Sequence, residues 1–231
     1  MSNLISEKSG FSQRLDELIA RTTYRLVVSA DELETIYRLR HDANVREGTI
    51  LPNETGKLHD RFDETPNCMN IAILVDGEVL AALRLHYLSP THPVSPALDA
   101  YPDIIGPMLE AGAHFIDTSR LAANFPQARM TPQLPYVTLR LGIMAAHHFG
   151  AHIITGGCRA EHFPFYAREF FAVRACPPRP YPTLVKPLCL VTIDFRKHHQ
   201  AIIDRRPGYD SQRRERERLF SAAAVKPDVF A

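Results

Sequence analysis

The chain has 231 residues, of which 45% are hydrophobic and 23% are charged, and its formal net charge is +1. This length and composition are those of a globular protein with one large domain or two small ones. A net charge this close to zero creates no general attraction for nucleic acid or for an anionic membrane surface. Partners therefore have to be inferred from local sites.

The cysteines, histidines and apolar segments exclude several further classes. The four cysteines are scattered without a CxxC pair, which predicts reduced thiols in a reducing cytoplasm instead of a disulfide framework or a zinc site. The eleven histidines contain no HExxH motif, and we expect no metal site. No apolar run approaches ~18 residues and the first residues lack a signal-peptide core, so we expect a soluble, cytoplasmic protein without integral membrane association.

The first half of the chain predicts a helix, a strand, a second helix and a β-hairpin. Apolar residues at helical spacing predict an amphipathic helix over residues 11–21, and residues 30–45 form a second one with acids in its first turn. The β-branched and aromatic residues at 23–29 predict a strand between them. After a predicted loop at 46–67, an Asp-Gly pair joins two apolar runs at 70–88, which is typical of a hairpin.

The second half alternates strands with helices. The proline-rich residues 89–107 are too long for an ordinary connector and predict an ordered functional loop. Residues 115–125 read as a strand, and the helix predicted at 134–150 is apolar nearly all round, so it should be buried. The remaining predicted elements are a strand at 151–157, mostly helix at 160–172, a strand at 188–195 and a solvated helix at 210–220.

This order of elements predicts an α/β fold in which helices flank one mixed central sheet. We expect three parts along the chain. These are an N-terminal helical segment at residues 1–21, a main domain at 22–204 and a C-terminal polar tail or helix at 205–231.

Six charged residues stand out because they lie in or beside apolar segments. They are Arg40, Asp60, Asp63, Arg84, Asp117 and Arg120. A charge inside an apolar strand is costly to bury unless it is paired and hydrogen-bonded. A structural ion-pair network and a binding or catalytic site are both consistent with this pattern, and the spacing alone leaves both interpretations open.

The segment FIDTSRLAANF places Asp117 and Arg120 three residues apart, so a regular strand would direct them to opposite faces. A β-bulge within residues 117–123 would bring both side chains to one face and one cavity, and bulges are frequent beside active sites. The same distortion would splay the strand from its neighbour. An extended ligand that carries amide groups could then pair with the exposed strand edge.

The order of these charges carries a family resemblance. The motifs are Arg40, Asp60-x-x-Asp63, Arg84 in LRL, and Asp117-x-x-Arg120 in IDTSRLA. They resemble the acyl-homoserine lactone synthases, in which the last motif usually reads E-x-S-R. The aromatic residues expected after the first arginine are replaced by Asn44 and Ile50, so the chain is more similar to the related long-chain N-acyl amino acid synthases.

The second resemblance rests on five separate segments spread over roughly residues 24–195. They read YRLRHDANVREG, DRFDETPN, RLHYLSPTHPVSP, LPYVTLRLGIMAAHHFGA and RAEHFPFY. The resemblance implies a GNAT-type acyltransferase fold, in which adjacent central strands splay to admit an acyl-pantetheine arm. The main domain is then an acyltransferase domain.

The resemblance also implies an activity. A long-chain fatty acyl group would pass from acyl carrier protein to the α-amine of an amino acid. The acyl-phosphopantetheine of the carrier would be the donor substrate, and no cofactor would be bound permanently. Two alternatives stay open, namely an enzyme of the same fold that uses acyl-CoA on another amine and a non-catalytic relative that only binds ligand.

Such a transfer needs a deprotonated amine close to the thioester and stabilisation of the developing oxyanion. Asp117 is the first candidate for the base, and Arg120 would orient it or hold substrate charge. Tyr166, in FYAREFF, resembles the tyrosine that protonates the departing thiolate, although it could simply pack among phenylalanines. Glu161 and His162 could act as a base through a chain of waters, or could form a solvated face.

The substrates suggest further residues. A carboxylate of the acceptor favours an arginine and its ammonium group an acid, so the acceptor-binding candidates are Arg40, Asp60, Asp63 and Arg84. The acyl-pantetheine candidates are Ser119, Leu121, Ala122, Ala123, Arg129 and Thr155.

The segment NFPQARMTPQLP bears on the identity of the donor. Acyl-CoA enzymes of this fold have a glycine-rich pyrophosphate loop at this place, and this segment contains no glycine. The sequence therefore favours a carrier-bound pantetheine. Arg129 could contact its single phosphate, or could be an ordinary solvated side chain.

Overall fold

In a computed structural model of the chain, residues 2–181 and 183–223 are described and form a seven-stranded central sheet. Its strands are β1 Thr22–Leu26, β2 Cys68–Val75, β3 Glu78–Leu88, β4 Phe115–Ala123, β5 Ile153–Cys158, β6 Val173–Arg174 and β7 Cys189–Asp194. Across the sheet the order is β1-β2-β3-β4-β5-β7-β6. The pair β4–β5 is parallel and the other neighbouring pairs are antiparallel, so the sheet is mixed, as predicted.

Helices flank this sheet. They are α1 Ser2–Ala20, α2 Ala30–Arg46, α3 Pro96–Ala100, α4 Pro102–Glu110, α5 Gln127–Met130, α6 Leu134–Phe149, α7 Phe163–Phe170, α8 Phe195–Arg205 and α9 Arg213–Phe220. Short 3₁₀ segments lie at Arg61–Glu64, Ala160–His162 and Pro207–Tyr209.

Alternation along β2 and β3 determines which helices cover which face. Ile71 and Leu85 belong to the large apolar cluster that contains α6, while Ala72, Leu74 and Ala82 pack with α2 on the opposite face. This follows from the two-residue period of a strand, which sends successive side chains to opposite sides. Both faces of the central strands are therefore buried.

Two predicted boundaries are confirmed in detail. Asp76 and Gly77 have φ angles of 52° and 88°, which are the left-handed conformations that a tight hairpin turn between β2 and β3 requires. The buried helix α6 ends at Gly150, whose φ of 64° places it in the left-handed conformation of a helix C-cap.

The predicted loop at 89–107 is wrong in its local structure, because much of it lies in α3 and α4. Pro96 and Pro102 occupy the first turns of these helices. A first-turn residue has no intrahelical partner for its N–H group, so proline is tolerated there and begins a helix instead of preventing one. The prediction also missed β6 and α8. Helix α8 begins after Asp194, and the side chain of Asp194 caps it by accepting from the N–H group of Lys197 at 3.0 Å.

The C-terminal helix was predicted correctly and most of its charged side chains are exposed, but it is not solvated on all sides. Leu219 and Phe220 of α9 are buried. The buried Arg140 of α6 donates to Glu215 at 2.9 Å and to two main-chain carbonyls in the turn before α9. The helix therefore has a short apolar edge, formed by Leu219 and Phe220, that packs against α6. The alternating charges dominate the sequence pattern and do not indicate this edge.

The division into three parts stays a prediction. Leu15 and Leu18 of α1 and Leu219 of α9 pack in the same apolar cluster as the sheet. The predicted tail extends to residue 231, and residues 224–231 lie outside those described.

Neither a membrane-spanning helix nor a cluster of metal ligands occurs among the described residues. None of their helices is long and apolar enough to cross a membrane. No group of three or more metal-binding side chains lies together within residues 2–181 and 183–223.

The central strands β4 and β5 pair over only part of their length. Phe115–Thr118 lies opposite residues 153–156, and β4 then continues to Ala123 without a partner on β5. On its other edge, β4 places Arg120 and Leu121 opposite the single residue Leu83 of β3. Arg120 has a φ of 54°, which is a left-handed conformation. The predicted bulge within residues 117–123 and the splayed strands are therefore confirmed.

Gly156 occupies the last paired position before the strands diverge. A Cβ atom there would lie 2.6 Å from both the main-chain oxygen and Oγ1 of Thr118. Because backbone cannot move aside cheaply, we expect Gly156→Ala to lower the free energy of unfolding by about 1–3 kcal/mol in urea denaturation.

Gly106 of α4 is the matched control for this change. No heavy atom lies within 4 Å of the position that a Cβ atom would take there. Gly106→Ala should be neutral or stabilising by up to about 1 kcal/mol, because alanine is the better helix former. Equal stability of the two variants would contradict the close approach of β4 and β5 at Gly156.

Candidate active site

Five of the six singled-out charges form one ion-pair network. Arg40 of α2 pairs with Asp63 at 2.8 Å. Arg84 of β3 contacts Asp60 at 2.6 Å and Asp63 at 2.9 Å. Arg120, from the bulge of β4, donates to the other oxygen of Asp60. The interpretation as an ion-pair network is therefore correct for these five residues.

The local sequence DRFD positions both carboxylates. Asp60 is the N-cap of the 3₁₀ segment Arg61–Glu64, and its Oδ1 accepts from the N–H group of Phe62 at 3.0 Å. Oδ2 of Asp63 accepts from the N–H group of Asp60 at 3.0 Å, which completes a capping box. The two side chains therefore project together towards the arginines of the sheet.

Burial divides the network into an inner and an outer part. The side chains of Asp63 and Arg84 are each 1% exposed, and that of Arg40 is fully buried. Asp60 retains 13% exposure and Arg120 retains 6%. None of the three inner residues lines either of the cavities described below, so the expected direct contact of Arg40, Asp63 and Arg84 with an acceptor finds no support in the geometry.

The electrostatics keep the two carboxylates ionised. Burial favours the neutral acid, but Arg84 and Arg120 outweigh it and hold the pKa of Asp60 below its usual range. Arg40 and Arg84 likewise outweigh burial at Asp63 and lower its pKa. Ionised, paired carboxylates are poor proton acceptors at neutral pH. Three arginines against two aspartates also leave the network with one excess positive charge.

Two cavities meet at the bulge. The first, which we name the strand cleft, has a volume of about 390 Å³ and opens where β4 and β5 diverge. Its walls include residues 119–123, Gly157 and Cys158 of the two strands and Tyr166 of α7. The second, the loop cavity, has a volume of about 410 Å³. It is lined by Asp60, Arg61, Phe62, Pro96, Asp99, Arg120, Tyr181 and Thr183.

Four of the predicted acyl-pantetheine residues line the strand cleft, namely Ser119, Leu121, Ala122 and Ala123. The other two do not. The buried hydroxyl of Thr155 donates to the main-chain oxygen of Val191 at 2.9 Å, and Arg129 is exposed on α5. Neither Thr155 nor Arg129 lines the strand cleft or the loop cavity.

Tyr166 lines the strand cleft and also packs beside Phe165. Burial raises the pKa of Tyr166 to about 12, so its hydroxyl is protonated at neutral pH. A protonated phenol in the cleft can donate a proton or a hydrogen bond. The geometry is therefore compatible with the acid role that the resemblance implied.

Asp117 does not face a cavity with Arg120, and this expectation was wrong. Its carboxylate is 1% exposed and accepts from the N–H group of Ala97, at the start of α3, at 2.8 Å. Burial raises the pKa of Asp117 to about 6, although the bonds from Ala97 and Ser95 oppose this. The segment predicted as a loop folds into α3 and covers Asp117, while Arg120 takes Asp60 as its partner.

Glu161 also lies away from both cavities. Its side chain is 62% exposed and pairs with Arg159 at 3.4 Å. His162 does reach the strand cleft, and burial lowers the pKa of its imidazole. Of this pair, the structure therefore brings only His162 towards the proposed chemistry.

Tyr181 is a cavity residue that the sequence analysis missed. It lies in the irregular segment between β6 and β7 and lines both cavities. Nothing in its local sequence, PRPYPT, distinguishes it from a packing tyrosine. Its position follows only from the folding of this segment over the diverging strands.

The splayed mixed sheet is a GNAT-type acyltransferase fold, as comparison with solved structures shows. FeeM, an N-acyl amino acid synthase from uncultured soil microbes, has a TM-score of 0.65 and 12% identity, with 78% of this chain and 94% of that chain covered. BjaI, a CoA-dependent acyl-homoserine lactone synthase, has a TM-score of 0.60 and 18% identity, with 80% and 90% covered.

A third structure is an acyl-CoA N-acyltransferase from Pseudomonas aeruginosa. It has a TM-score of 0.51 and 17% identity, with 74% of this chain and 97% of that chain covered. At these identities the three likenesses establish the fold alone. No curated protein sequence matches the chain.

The family itself follows from the sequence. The family model described as N-acyl amino acid synthase FeeM matches residues 35–194. The chain therefore belongs to the FeeM family of N-acyl amino acid synthases, and the predicted resemblance is confirmed. It is a member of an acyltransferase family, and its structural neighbours include an acyl-homoserine lactone synthase.

Replacement of Asp117 tests its electrostatic state. The pKa of Asp117 is about 6 in the folded protein, against about 3.9 in an unfolded chain. The folded state therefore binds the extra proton between these values, and the contribution of Asp117 to stability falls as the pH rises through them. The amide introduced by Asp117→Asn cannot ionise, but its oxygen can still accept from the N–H group of Ala97.

We compare the free energy of unfolding of Asp117→Asn with that of wild type at each pH. This difference should shift in favour of Asp117→Asn by about 2–3 kcal/mol when the pH is raised from 4 to 7.5. Urea denaturation at the two pH values measures this difference. If the stability difference between the two proteins does not change with pH, the folded state does not disfavour ionisation of Asp117, and the raised pKa is contradicted. Turnover of the same variant tests the base assignment, since loss of a general base costs ~10²–10⁴-fold and loss of an anchoring charge should cost less.

Proposed function

We propose that this protein transfers a long-chain fatty acyl group from the phosphopantetheine thioester of acyl carrier protein to the α-amine of an amino acid. The observation that carries the proposal is the meeting of two cavities at the bulge of β4. An amine has to come within ~3–3.5 Å of the thioester carbon, so two substrates need adjoining sites. No permanently bound cofactor is required by this chemistry.

The strand cleft suits the donor. From Ser119 to Ala123, β4 has no partner on β5, so its peptide groups can pair with the amides of an extended pantetheine arm. Leu83, Leu139 and Val191 supply apolar walls to the same cleft. Each buried methylene contributes about 0.8 kcal/mol, so a long acyl chain would bind more tightly than a short one.

The segment between β4 and α6 supports a carrier protein as the donor. It contains α5 and no glycine, and Pro135 in the first turn of α6 offers no N–H group. The pyrophosphate of CoA is usually held by several main-chain N–H groups of a glycine-rich loop and the following helix. Carrier-bound pantetheine has a single phosphate and needs fewer of them. The same fold serves a CoA-dependent enzyme, BjaI, so the donor is a property of local residues and needs its own test.

The loop cavity suits an amino acid acceptor. Asp60 and Arg120 form the outer part of the ion-pair network, and both line this cavity. A carboxylate can hold an ammonium group, and a guanidinium can hold a carboxylate through two hydrogen bonds. The three inner residues of the network would then contact no substrate. Their role would be to fix the positions of Asp60 and Arg120.

The reaction follows from this placement. The neutral amine attacks the thioester carbon, the oxygen gains charge, and the intermediate collapses with loss of the pantetheine thiolate. Tyr166 would protonate that thiolate. Asp117 remains the candidate base, although α3 would have to move before the carboxylate could meet the amine, directly or through water.

The assay supplies purified protein with acyl carrier protein or CoA that carries the same long acyl chain, together with a mixture of amino acids. We expect mass spectrometry to detect N-acyl amino acid, formed at least about tenfold faster from the carrier, a difference of about 1.4 kcal/mol. Equal or faster turnover with acyl-CoA would remove the carrier assignment. Acyl-thioester binding without turnover would favour a non-catalytic relative.

Arg120→Ala is the test variant for this assay, and Arg213→Ala is its matched control. Arg120→Ala removes the charge shared by the two cavities and should reduce product formation. Arg213 lies on α9 with its side chain 86% exposed, so Arg213→Ala should behave as wild type. Loss of activity in both would indicate a general effect of removing an arginine.

The acid role of Tyr166 makes a separate prediction. Tyr166→Phe keeps the ring and its packing but removes the proton, so we expect turnover to fall by about 10²-fold with little change in thermal midpoint. A thioester whose thiol is more acidic should reduce the loss, because its thiolate departs without protonation. An equal loss with both thioesters would contradict the role of Tyr166 as general acid.

A further inference from the structure

Tyr181 occupies a special position between the two cavities. Among the described residues, Arg120 and Tyr181 alone line both the strand cleft and the loop cavity. A group that borders both cavities lies where a substrate in one would meet a substrate in the other. These two side chains are therefore the first candidates for contact with the reacting atoms.

The ring of Tyr181 is held against the diverging strands. A Cβ atom added to Gly157 of β5 would lie 3.4 Å from Cε2 of Tyr181, so the ring packs directly on this glycine. Glycine at this position allows the close approach. The ring therefore lies beside the point at which β5 separates from β4.

The two shared residues differ in their hydrogen bonds. Arg120 is tied through Nη2 to Asp60 and to Oγ1 of Thr183, the second at 2.8 Å. The hydroxyl of Tyr181 makes no hydrogen bond to any residue within the described ranges 2–181 and 183–223. Tyr181 is half-buried and lines both cavities, so its hydroxyl can donate to a water or to a ligand bound there.

The charge state of Tyr181 suits a donor. Burial and the nearby Asp117 raise the pKa of its phenol above the ordinary value, and this outweighs the opposing effect of Arg120. The hydroxyl therefore keeps its proton at neutral pH. It can donate one hydrogen bond to an oxygen that becomes negatively charged at the junction of the cavities.

We propose that the Tyr181 hydroxyl donates a hydrogen bond to the carbonyl oxygen of the reacting thioester and is a catalytic residue. This inference rests on the proposed function, which places the thioester in the strand cleft and the amine in the loop cavity. As the amine nitrogen forms its bond to the carbonyl carbon, the π electrons of the carbonyl move to the oxygen and Tyr181 stabilises them. When the C–N bond is complete, they return and the C–S bond breaks, with the electron pair leaving on sulfur. The nitrogen gives its surplus proton to the base, for which Asp117 is the candidate, and Tyr166 protonates the thiolate.

Tyr181→Phe tests the inference because it removes the hydroxyl and keeps the ring against Gly157. We expect kcat to fall by about 10²-fold, the usual effect of removing one oxyanion donor, with both KM values within about threefold of wild type. The thermal midpoint should stay within a few degrees, because the lost hydroxyl has no partner among the described residues.

Tyr24→Phe is the matched control. Its hydroxyl donates to the main-chain oxygen of Val137 at 2.8 Å, and neither residue lines the strand cleft or the loop cavity. Tyr24→Phe should therefore lower the thermal midpoint and leave kcat unchanged. The control shows whether loss of a phenolic hydroxyl by itself reduces turnover.

Three results would overturn the inference. The first is a kcat for Tyr181→Phe within about threefold of an active wild type, which would leave the proposed function standing. The second is a raised KM with an unchanged kcat, since that would assign the hydroxyl to substrate binding alone. The third is a wild-type enzyme that forms no acyl product from either donor, in which case the proposed function fails as well.

Discussion

The pairing of Arg84 with Asp60 and Asp63 is the interaction on which the site depends. A guanidinium on a central strand can be buried only with counter-charges, because an unpaired buried charge would cost several kcal/mol. The DRFD segment brings two carboxylates to it and closes a capping box as it does so. The loop before β2 is thereby attached to the sheet, and the outer oxygen of Asp60 is presented to Arg120.

The network also stabilises the bulge that opens the cleft. A residue other than glycine in the left-handed region costs on the order of 1–3 kcal/mol and persists only where its surroundings compensate. Arg120 is such a residue, and its guanidinium bonds to Asp60 and Thr183. The ion pairs therefore hold the bulge, and the bulge directs β4 away from β5. The same ion pairs therefore compensate the buried charges and stabilise the bulge beside which the strand cleft opens.

Much of the fold could be predicted from sequence because its signals are local. The Asp-Gly turn between β2 and β3 needs only two residues, and Gly150 ends α6 by its own conformational freedom. The spacing of Asp117 and Arg120 indicated a bulge because three residues are enough to break the alternation of a strand. Local rules failed at Pro96 and Pro102, which lie in the first turns of helices. A proline at the start of a helix and a proline within a loop cannot be distinguished from the local sequence.

The sequence by itself determined the family, most of the strands and longer helices, the bulge and the residue types of the ion-pair network. Only the tertiary structure decided which charges meet. Arg120 pairs with Asp60, sixty positions earlier in the chain, and Asp117 meets the backbone of α3 instead. Tyr181 reaches both cavities from an irregular segment without a local signal. Periodicity and turn chemistry are properties of a few neighbouring residues, whereas these contacts depend on how distant segments pack, which no short stretch of sequence encodes.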